Sequence, residues 1–461
     1  MRVLIIHQNF PGQFRHVAKA WSERPSWKVI GIGRDTAPGM PELEKAGRLT
    51  LIRYKPHRSV HQGQHHYLRR MEDAVLHGQA VARILLALKA KGFKPDVILA
   101  HPGWRETLNA KDVFPDTRLV HFCEWFYNAP AEGNGLDPNW QGADIGFDPE
   151  FPVTFDDRAR IRAWNALHLT NLENCDAAIS PTHWQKAQHP KAYLDKITVA
   201  HEGIDTENLA PYARAGIKLP NGTVLRAGDP VITYVARNLE PYRGFHQFMR
   251  ALPAIQRQHK TCHTVIVGGD DVSYGRKPDG AKHWREKMLR EVGSRLDPTR
   301  THFLGKVPYE GYKRVLQVSA AHMYLTYPFV LSWSMLEAMA TGCLVIGSDT
   351  KPVREVLKDG VNGQLVGMFD QSAVAETVVE RLNAPAASDA PLRGSALDAT
   401  RAYSTKAGTQ AFEAACWRSR SPTRALGSRE SYHTVPKRNG RWLGPALDSQ
   451  KSSNDHRGRF S

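Results

Sequence analysis

Two arginines are the residues whose type and spacing offer the clearest chemistry in this sequence. Arg237 and Arg243 lie on either side of a predicted junction between a strand, residues 231–236, and a helix that extends to about residue 258. A guanidinium group binds phosphate oxygens through paired hydrogen bonds and keeps its charge at physiological pH. The junction is therefore suited to a diphosphate, although two solvated arginines in a loop would give the same pattern.

A second candidate anion site lies in residues 327–349, which are predicted to form a strand, a short helix beginning near Ser332, and a second strand over 344–346. The first turn of a helix has unpaired N–H groups and partial positive charge, so it can hold an anion. Glu337, about one turn further on, could then accept hydrogen bonds from sugar hydroxyls. A buried helix with a solvent-facing glutamate would show the same pattern. The groups predicted to hold the anion belong to Val330, Leu331, Ser332 and Ser334.

Polar residues and glycines also follow several other predicted strands. Gly12 lies in the turn after the first strand, His101 ends the strand 96–101, and Glu124 ends the strand 119–124. The carboxyl ends of parallel strands meet at one edge of a sheet, where open sheets bind ligands. We therefore place these residues at a binding edge, together with two glycines that let the backbone approach a ligand, Gly203 and Gly269.

Strands alternating with helices predict an α/β fold of two doubly wound parallel sheets, because 461 residues exceed one typical core. We predict an N-terminal domain over residues 1–205 and a Gly- and Pro-rich linker over 206–229. A second domain is predicted over 230–385. Residues 386–461 are predicted to be a basic, poorly ordered tail.

The formal net charge of +16 could indicate nucleic acid, an anionic membrane or an anionic small substrate. From residue 417 onwards the chain has ten Arg and Lys against three Asp and Glu, so the tail supplies much of this excess. Because no nucleic-acid recognition motif is present, we expect no sequence-specific nucleic-acid binding. A segment with four histidines, His57, His61, His65 and His66, is predicted to be a solvated basic surface that could contact anionic lipid headgroups, rather than a zinc site.

No run approaches the roughly 20 apolar residues that a membrane-spanning helix needs, so we expect a soluble, cytoplasmic protein, with any membrane contact peripheral. The five cysteines are widely scattered and include no C-x-x-C pair, which predicts reduced thiols. The chain also has no Asp-x-Asp pair, and we expect no metal site.

Laid out in this way, the sequence resembles the retaining glycosyltransferases of family 4, which have the GT-B fold, over roughly residues 1–385. Arg237 with Arg243-Gly244 is similar to that family's Arg and Lys-Gly pair on the donor diphosphate. Residues 336–342, Leu-Glu-Ala-Met-Ala-Thr-Gly, look like its Glu-Ala-Met-Ala-x-Gly signature, and residues 203–205 like its Gly-Ile/Val-Asp turn. The resemblance implies that Glu337 binds the nucleotide ribose.

The sequence departs from the family pattern in three places. Phe329 stands where a Glu-x7-Glu motif would have its first glutamate, which that family associates with the donor sugar. Arg243 replaces the usual lysine, and the two are not interchangeable. A C-terminal helix that crosses back onto the N-terminal domain is also expected of the GT-B fold, but no convincing one is evident after Thr405.

We therefore predict a glycosyltransferase of polysaccharide biosynthesis that moves a sugar from a nucleotide diphosphate sugar to a saccharide, lipid-linked or small-molecule acceptor. Arg237 and Arg243 would stabilise the departing diphosphate without a metal or other cofactor. Glu124 or His101 would orient the acceptor or the donor sugar, and the resemblance implies retention at the anomeric carbon. The alternatives are a nucleotide-sugar epimerase of the same architecture and a non-catalytic nucleotide-sugar-binding protein.

Overall fold

Seven parallel strands form the first sheet, in the order β3-β2-β1-β4-β5-β6-β7. A computed structural model describes residues 1–104, 106–128 and 145–417 of the chain. The central strand, β1, is hydrogen-bonded on both sides, and its residues 3–6 are fully buried because helices cover both faces of the sheet. The strands are β1 (Arg2–Ile6), β2 (Lys28–Arg34), β3 (Leu49–Tyr54), β4 (Val97–Ala100), β5 (Arg118–Phe122), β6 (Ala177–Ser180) and β7 (Ile197–Val199).

Among the described residues, six α-helices accompany this sheet and form the N-terminal domain with it. They are α1 (Arg15–Ser22), α2 (Pro41–Lys45), α3 (Arg69–Ala90), α4 (Ala110–Val113), α5 (Phe155–Asn174) and α6 (His183–Ala187). The start of α5 is fixed by a capping box, in which Thr154 and Asp157 bond each other's backbone N–H groups.

A second parallel sheet has six strands in the order β12-β11-β10-β13-β14-β15 and forms the C-terminal domain with its helices. Its strands are β10 (Val231–Asn238), β11 (His263–Gly269), β12 (Thr301–Gly305), β13 (Ala321–Tyr324), β14 (Leu344–Ser348) and β15 (Gln364–Val366). The helices are α7 (Phe245–Gln258), α8 (Trp284–Val292), α9 (Tyr309–Gln317), α10 (Trp333–Ala340), α11 (Lys351–Val356) and α12 (Gln371–Asn383). Two doubly wound parallel sheets are thus present, and the predicted fold class is confirmed.

The segment predicted to be a linker contains an antiparallel hairpin, β8 (Gly216–Lys218) and β9 (Val224–Arg226). Leu219 and Leu225 are buried in one cluster with Val231 and Val265 of the second sheet. This hairpin is therefore part of the C-terminal core. Its strands are short and lie among turn-forming residues, so the sequence pattern did not predict them.

The sequence predicted a strand beginning at residue 327. The strand of the structure, β13, lies earlier in the chain and ends at Tyr324. Residues 325–332 are irregular and lead directly into α10. Tyr327 and Phe329 are buried all the same. Tyr327 packs in the hydrophobic core of the C-terminal domain, and Phe329 packs on Trp125 of the N-terminal domain. Their apolar character reflects these contacts rather than a position in the sheet.

The prediction of a poorly ordered tail from residue 386 onwards is wrong for residues 386–417. They form two helices, α13 (Ala386–Thr400) and α14 (Thr405–Trp417), so a C-terminal helix does follow Thr405. Arg393 fixes α13 by donating to the backbone carbonyls of Gly342 and Ala320, each at 2.6 Å. The prolines of this Ala- and Pro-rich segment, among them Pro391, had argued against a helix here. Residues 418–461 of the predicted tail lie outside the described residues.

Helix α14 packs against the N-terminal domain. Phe412 is buried to 1% exposure and stacks on Phe122 at 5.7 Å between ring centres. Glu413 accepts hydrogen bonds from the Trp21 indole at 3.0 Å and from Arg24 at 2.6 Å.

None of the helices in the described ranges has the length and apolar character to cross a bilayer.

We expect Phe412→Ala to destabilise the N-terminal domain by about 3 to 5 kcal/mol, because it leaves a cavity between α14 and the sheet. Urea unfolding followed by tryptophan fluorescence would measure this as a lower midpoint. The control is Leu86→Ala, since Leu86 is 54% exposed on α3. A Phe412→Ala midpoint equal to that of Leu86→Ala would mean that α14 contributes nothing to stability.

Candidate functional site

A chain of hydrogen bonds joins the carboxyl ends of β1, β4 and β5. Nε2 of His7 lies 2.8 Å from Oε1 of Gln13, and the Gln13 amide donates to Glu124 at 3.0 Å. Nδ1 of His101 accepts the N–H of Gly103 at 3.0 Å, so its Nε2 carries the proton and faces Glu124 at 3.3 Å. The structure thus brings Glu124 and His101 together at the predicted edge.

Gly12 is required by the turn above this chain of hydrogen bonds. Its φ is +51°, and an added Cβ would lie 2.3 Å from the His7 ring. Only glycine fits both conditions.

Glu124 is held as a charged carboxylate. Burial disfavours its charge, but the hydrogen bonds from His101 and Gln13 outweigh this effect and hold its pKa below the ordinary value. Burial and the neighbouring His101 lower the pKa of His7 to about 3, so His7 is neutral. A carboxylate with a low pKa is a weak general base, so this group is suited to orienting hydroxyls rather than to removing a proton.

Arg243 lies in the turn between β10 and α7, partly buried. Its Nη1 donates to Oγ1 of Thr326 and to the backbone carbonyl of Val330, each at 3.0 Å. Gly244 allows this turn, since its φ is +67° and an added Cβ would lie 2.3 Å from that of Leu325. The structure therefore joins the two predicted anion sites, because Arg243 bonds directly to the loop that precedes α10.

Arg237 is exposed near the end of β10. Gly269, at the end of the neighbouring strand β11, lies beside Asn238 and the side chain of Lys306. Lys306 is 61% exposed and pairs with Asp271 at 3.4 Å, so it adds a cation that sequence reasoning missed.

At the start of α10, two of the backbone groups predicted to hold an anion already have partners. The N–H of Ser332 donates to the Tyr324 hydroxyl at 2.8 Å, and the N–H of Ser334 donates to the Ser332 side chain at 3.2 Å. In the described ranges, the N–H groups of Val330, Leu331 and Trp333 have no hydrogen-bond partner. An anion at this helix start would therefore meet those three groups first.

Glu337 is fixed from one side by two tyrosines on α9. Tyr312 donates to one carboxylate oxygen at 2.6 Å and Tyr309 to the other at 3.3 Å. Burial raises its pKa, and the hydrogen bonds and the charge of Arg15 act against that rise. Tyr309 and Tyr312 are three residues apart, a spacing that places them on one helix face and could have been noticed in the sequence.

Gly203 has an explanation that involves no ligand. Its φ is +90°, and an added Cβ would lie 2.8 Å from Cα of Thr405 and 2.9 Å from the carbonyl oxygen of Ser404. The glycine lets the segment before α14 pass close to the chain after β7. The geometry gives no support to a contact between Gly203 and the donor.

The two domains face each other across these residues. Trp125, next to Glu124, packs on Phe329 at 4.9 Å between ring centres. Arg15 of α1 lies 4.7 Å above the ring of Trp333, the first residue of α10. The candidate residues of both domains therefore border one cleft.

Two family profiles match the chain in succession. The Glycosyl transferase family 4 group matches residues 27–209, and Glycosyl transferases group 1 matches residues 229–384. The chain belongs to glycosyltransferase family 4. The two matched regions of this family member correspond to its two sheets. The first region contains most of the seven-stranded sheet, and the second contains the six-stranded sheet.

Among curated proteins, the chain is similar to a phosphatidyl-myo-inositol mannosyltransferase of Mycobacterium leprae, with 28% identity over 182 residues, 36% of this chain and 44% of that protein. It is also similar to a D-inositol 3-phosphate glycosyltransferase of Nocardia farcinica, with 26% identity over 175 residues, 37% of this chain and 36% of that protein. The matched region thus spans less than half of each relative.

Among solved structures, HepE of Anabaena, crystallised with UDP and glucose, superposes with a TM-score of 0.62 at 15% identity, over 90% of this chain and 98% of that one. Sucrose-phosphate synthase of Thermosynechococcus elongatus has a TM-score of 0.62 at 17% identity, over 90% and 97% of the two chains. The fold of this family 4 member is therefore GT-B, with two Rossmann-like domains facing across a cleft.

A cavity of about 420 Å³ opens between the domains beside Phe329. Its aromatic walls are Tyr127, Phe151 and Trp164 from the N-terminal domain and Tyr242, Tyr274, Tyr327 and Phe329 from the C-terminal domain. Arginines at the cavity have partners of their own. Arg160 and Arg276 both pair with Asp157, and Arg70 lies 3.4 Å above the Trp164 ring.

The predicted basic surface shows His61 and His65 engaged with their own backbone. Their Nδ1 atoms accept hydrogen bonds from the N–H groups of Gly63 at 3.1 Å and Tyr67 at 3.3 Å.

Within the described ranges, one group of three potential metal ligands is found elsewhere, at Asp148, Glu150 and His246. Asp148 is already bonded to His246 at 2.7 Å and to the Tyr327 hydroxyl at 2.5 Å.

A buried acid that sequence reasoning missed lies between the domains. Glu202 accepts a hydrogen bond from the Trp333 indole, and its other oxygen has no hydrogen-bond partner among the described residues. Burial raises its pKa from 4.5 to about 8. Glu202 is therefore largely protonated at neutral pH.

This raised pKa predicts a pH dependence of stability. The native state binds the Glu202 proton more tightly than the unfolded state, so the free energy of unfolding falls as the pH rises from about 4.5 to about 8. We expect Glu202→Gln to remove this dependence and to stabilise the protein at pH 8 by on the order of 3 kcal/mol. Urea unfolding between pH 5 and pH 8 measures both effects. Glu207→Gln, an exposed acid on the same segment, is the control, and equal pH slopes for the two variants would contradict the assignment.

Proposed function

We propose that this protein is a glycosyltransferase that moves a sugar from a nucleotide diphosphate sugar to a saccharide acceptor. The observation that carries the proposal is the hydrogen bond from Arg243 to the Val330 carbonyl, because it joins the guanidinium and the start of α10 into one site. The family supports it, as do relatives named as a mannosyltransferase and a glycosyltransferase. HepE, which shares the fold, was crystallised with UDP and glucose.

In the proposed reaction, negative charge develops on the departing diphosphate while the anomeric carbon becomes oxocarbenium-like. Arg243 and Arg237 stabilise that charge, and each well-placed donor lowers such a barrier by roughly 3 kcal/mol. Glu337, held by Tyr309 and Tyr312, receives the ribose hydroxyls of the nucleotide. The nucleotide diphosphate sugar is a co-substrate, and we propose no metal or other cofactor.

We propose that the anomeric configuration is retained, with attack from the leaving-group face and a diphosphate oxygen taking the acceptor proton. An inverting reaction needs a general base on the opposite face of the sugar. Glu124, which follows β5 at the cleft, has a lowered pKa and accepts hydrogen bonds at both oxygens, so it is a weak base. Glu124 and His101 instead orient the acceptor or the donor sugar.

The aromatic cavity beside Phe329 is the proposed place for the acceptor. Aromatic faces stack on the apolar faces of pyranose rings. The formal charges of the cavity lining balance, because three arginines face three carboxylates: Arg70, Arg160 and Arg276 with Asp148, Glu150 and Asp157. These features favour a neutral saccharide, free or lipid-linked. Peripheral contact of the histidine- and arginine-rich segment with an anionic membrane stays a prediction, as does a cytoplasmic location.

The activity is tested by giving the purified full-length protein a panel of labelled nucleotide sugars, with and without membrane extract. Transfer of label that requires the extract supports the proposal, and EDTA should leave its rate unchanged. Release of free nucleotide with a changed sugar and no acceptor would indicate an epimerase. Donor binding without turnover would indicate a binding protein, and no binding to any donor would overturn the proposal.

We expect Glu337→Ala to weaken nucleotide binding and Arg243→Ala to lower turnover by about tenfold or more, because the first removes the ribose contact and the second a charge on the leaving group. Calorimetry and steady-state kinetics measure the two effects. Matched controls are Glu376→Ala and Arg257→Ala, which remove exposed charges on α12 and α7. If both site variants kept full activity, the site would be wrongly placed.

A further inference from the structure

We propose that Phe329 is a positioning residue that acts through Arg243, and that Phe329 and Tyr274 together hold this guanidinium in the orientation that binds the donor diphosphate. The inference rests on the proposed function. The guanidinium carbon of Arg243 lies 5.8 Å from the centre of the Phe329 ring and 5.4 Å from that of Tyr274. The two rings are 4.9 Å apart at 64°, so they form a corner beside the cation. Both distances are within the range of cation–π attraction.

Hydrogen bonds fix the remaining freedom of the guanidinium. Both N–H groups of Nη1 are used, one by Thr326 and one by the Val330 carbonyl. The Tyr274 side chain also forms a hydrogen bond with the guanidinium. The edge formed by Nε and Nη2 makes no other hydrogen bond among the described residues, and such an edge can bind two phosphate oxygens at once. Because the rings and the Nη1 bonds set the plane of the group, this edge is oriented before the donor arrives.

Both rings of the corner are themselves held in place. The buried carboxylate of Glu240 accepts three consecutive backbone N–H groups, those of Ser273 at 3.0 Å, Tyr274 at 3.1 Å and Gly275 at 2.9 Å. This fixes the loop that carries Tyr274. Phe329 is only 4% exposed and packs on Trp125 of the N-terminal domain. The position of Arg243 therefore depends in part on a contact with the opposite side of the cleft.

The two departures from the family pattern, Phe329 and Arg243, are thus in contact and suit each other. A carboxylate at position 329 would pair with the guanidinium and compete with the phosphate for it. A lysine at position 243 has no planar group to lie against the rings. An aromatic ring beside an arginine stabilises the cation and leaves its donors unpaired.

The test compares Phe329→Leu, Phe329→Tyr and Phe329→Glu in the full-length protein. Turnover is measured with the donor found in the panel, and calorimetry measures binding of the matching nucleoside diphosphate and monophosphate. We expect Phe329→Leu to lower kcat and diphosphate affinity by about 3- to 30-fold, with monophosphate affinity unchanged within about twofold. Phe329→Glu should lower both further, and Phe329→Tyr should restore most of the loss.

A matched control is Phe303→Leu. Phe303 is partly buried on β12, and Arg285 lies 5.7 Å from its ring, so this variant removes the same kind of contact away from the cleft. It should change neither nucleotide affinity. If Phe329→Leu folds poorly, Tyr274→Leu tests the other ring of the corner, since Tyr274 is 40% exposed and should tolerate the change.

Coupling of the two residues is tested by Arg243→Lys in two backgrounds. With Phe329 present, we expect the lysine to cost about tenfold in turnover, and with Phe329→Glu already made we expect a clearly smaller cost. Equal costs in both backgrounds, or equal losses of diphosphate and monophosphate affinity in Phe329→Leu, would overturn the positioning role. If the unaltered protein bound no nucleoside diphosphate, the proposed function itself would fail, which is a different result.

Discussion

The partly buried guanidinium of Arg243 is the constraint on which the rest of the cleft depends. A cation withdrawn from water needs compensation, and here the described neighbours within bonding distance are a hydroxyl, a backbone carbonyl and two aromatic rings rather than a carboxylate. Such neighbours stabilise the cation without neutralising it. The site therefore keeps a full positive charge for a ligand, at the meeting point of the β10–α7 turn and the loop before α10. The helix start contributes less than its sequence suggested, because Ser332 and Ser334 use their N–H groups internally.

The carboxylates of the cleft divide into two chemical states that follow from their partners. Glu124 receives hydrogen bonds from His101 and Gln13, which outweigh burial and keep it charged. Burial prevails at Glu202, and the charge of Glu124 acts in the same direction, so its pKa rises to about 8 despite hydrogen bonds from the Trp333 indole and from its own backbone N–H. Both residues follow strands of the same sheet, and residue type alone does not distinguish them. What separates the charged group from the neutral one is the sign of the charges that the fold places around each, added to the effect of burial.

The sequence predicted those features that local pattern determines. Buried apolar runs located most of the parallel strands to within a few residues, and Arg243, Glu337 and Glu124 could be named as candidates because their spacing from predicted strand ends is short. Features that depend on contacts between distant segments were missed. Phe412 packs on a sheet almost 300 residues earlier in the chain, and Pro391 concealed the helix before it. The apolar residues at 327–331 suggested a strand, because burial between two domains and burial in a sheet select the same residue types.

In the described part of the chain, two crossings join the domains, and they lie side by side. The N–H of Ile204 donates to the carbonyl of Tyr403 at 2.8 Å, and the N–H of Thr405 donates to the carbonyl of Ile204 at 3.0 Å. Gly203 is the residue that permits this approach. Phe329 and Trp125 make a separate contact across the cleft. Because Phe329 also lies beside Arg243, the N-terminal domain supports one side of the guanidinium that is proposed to bind the diphosphate.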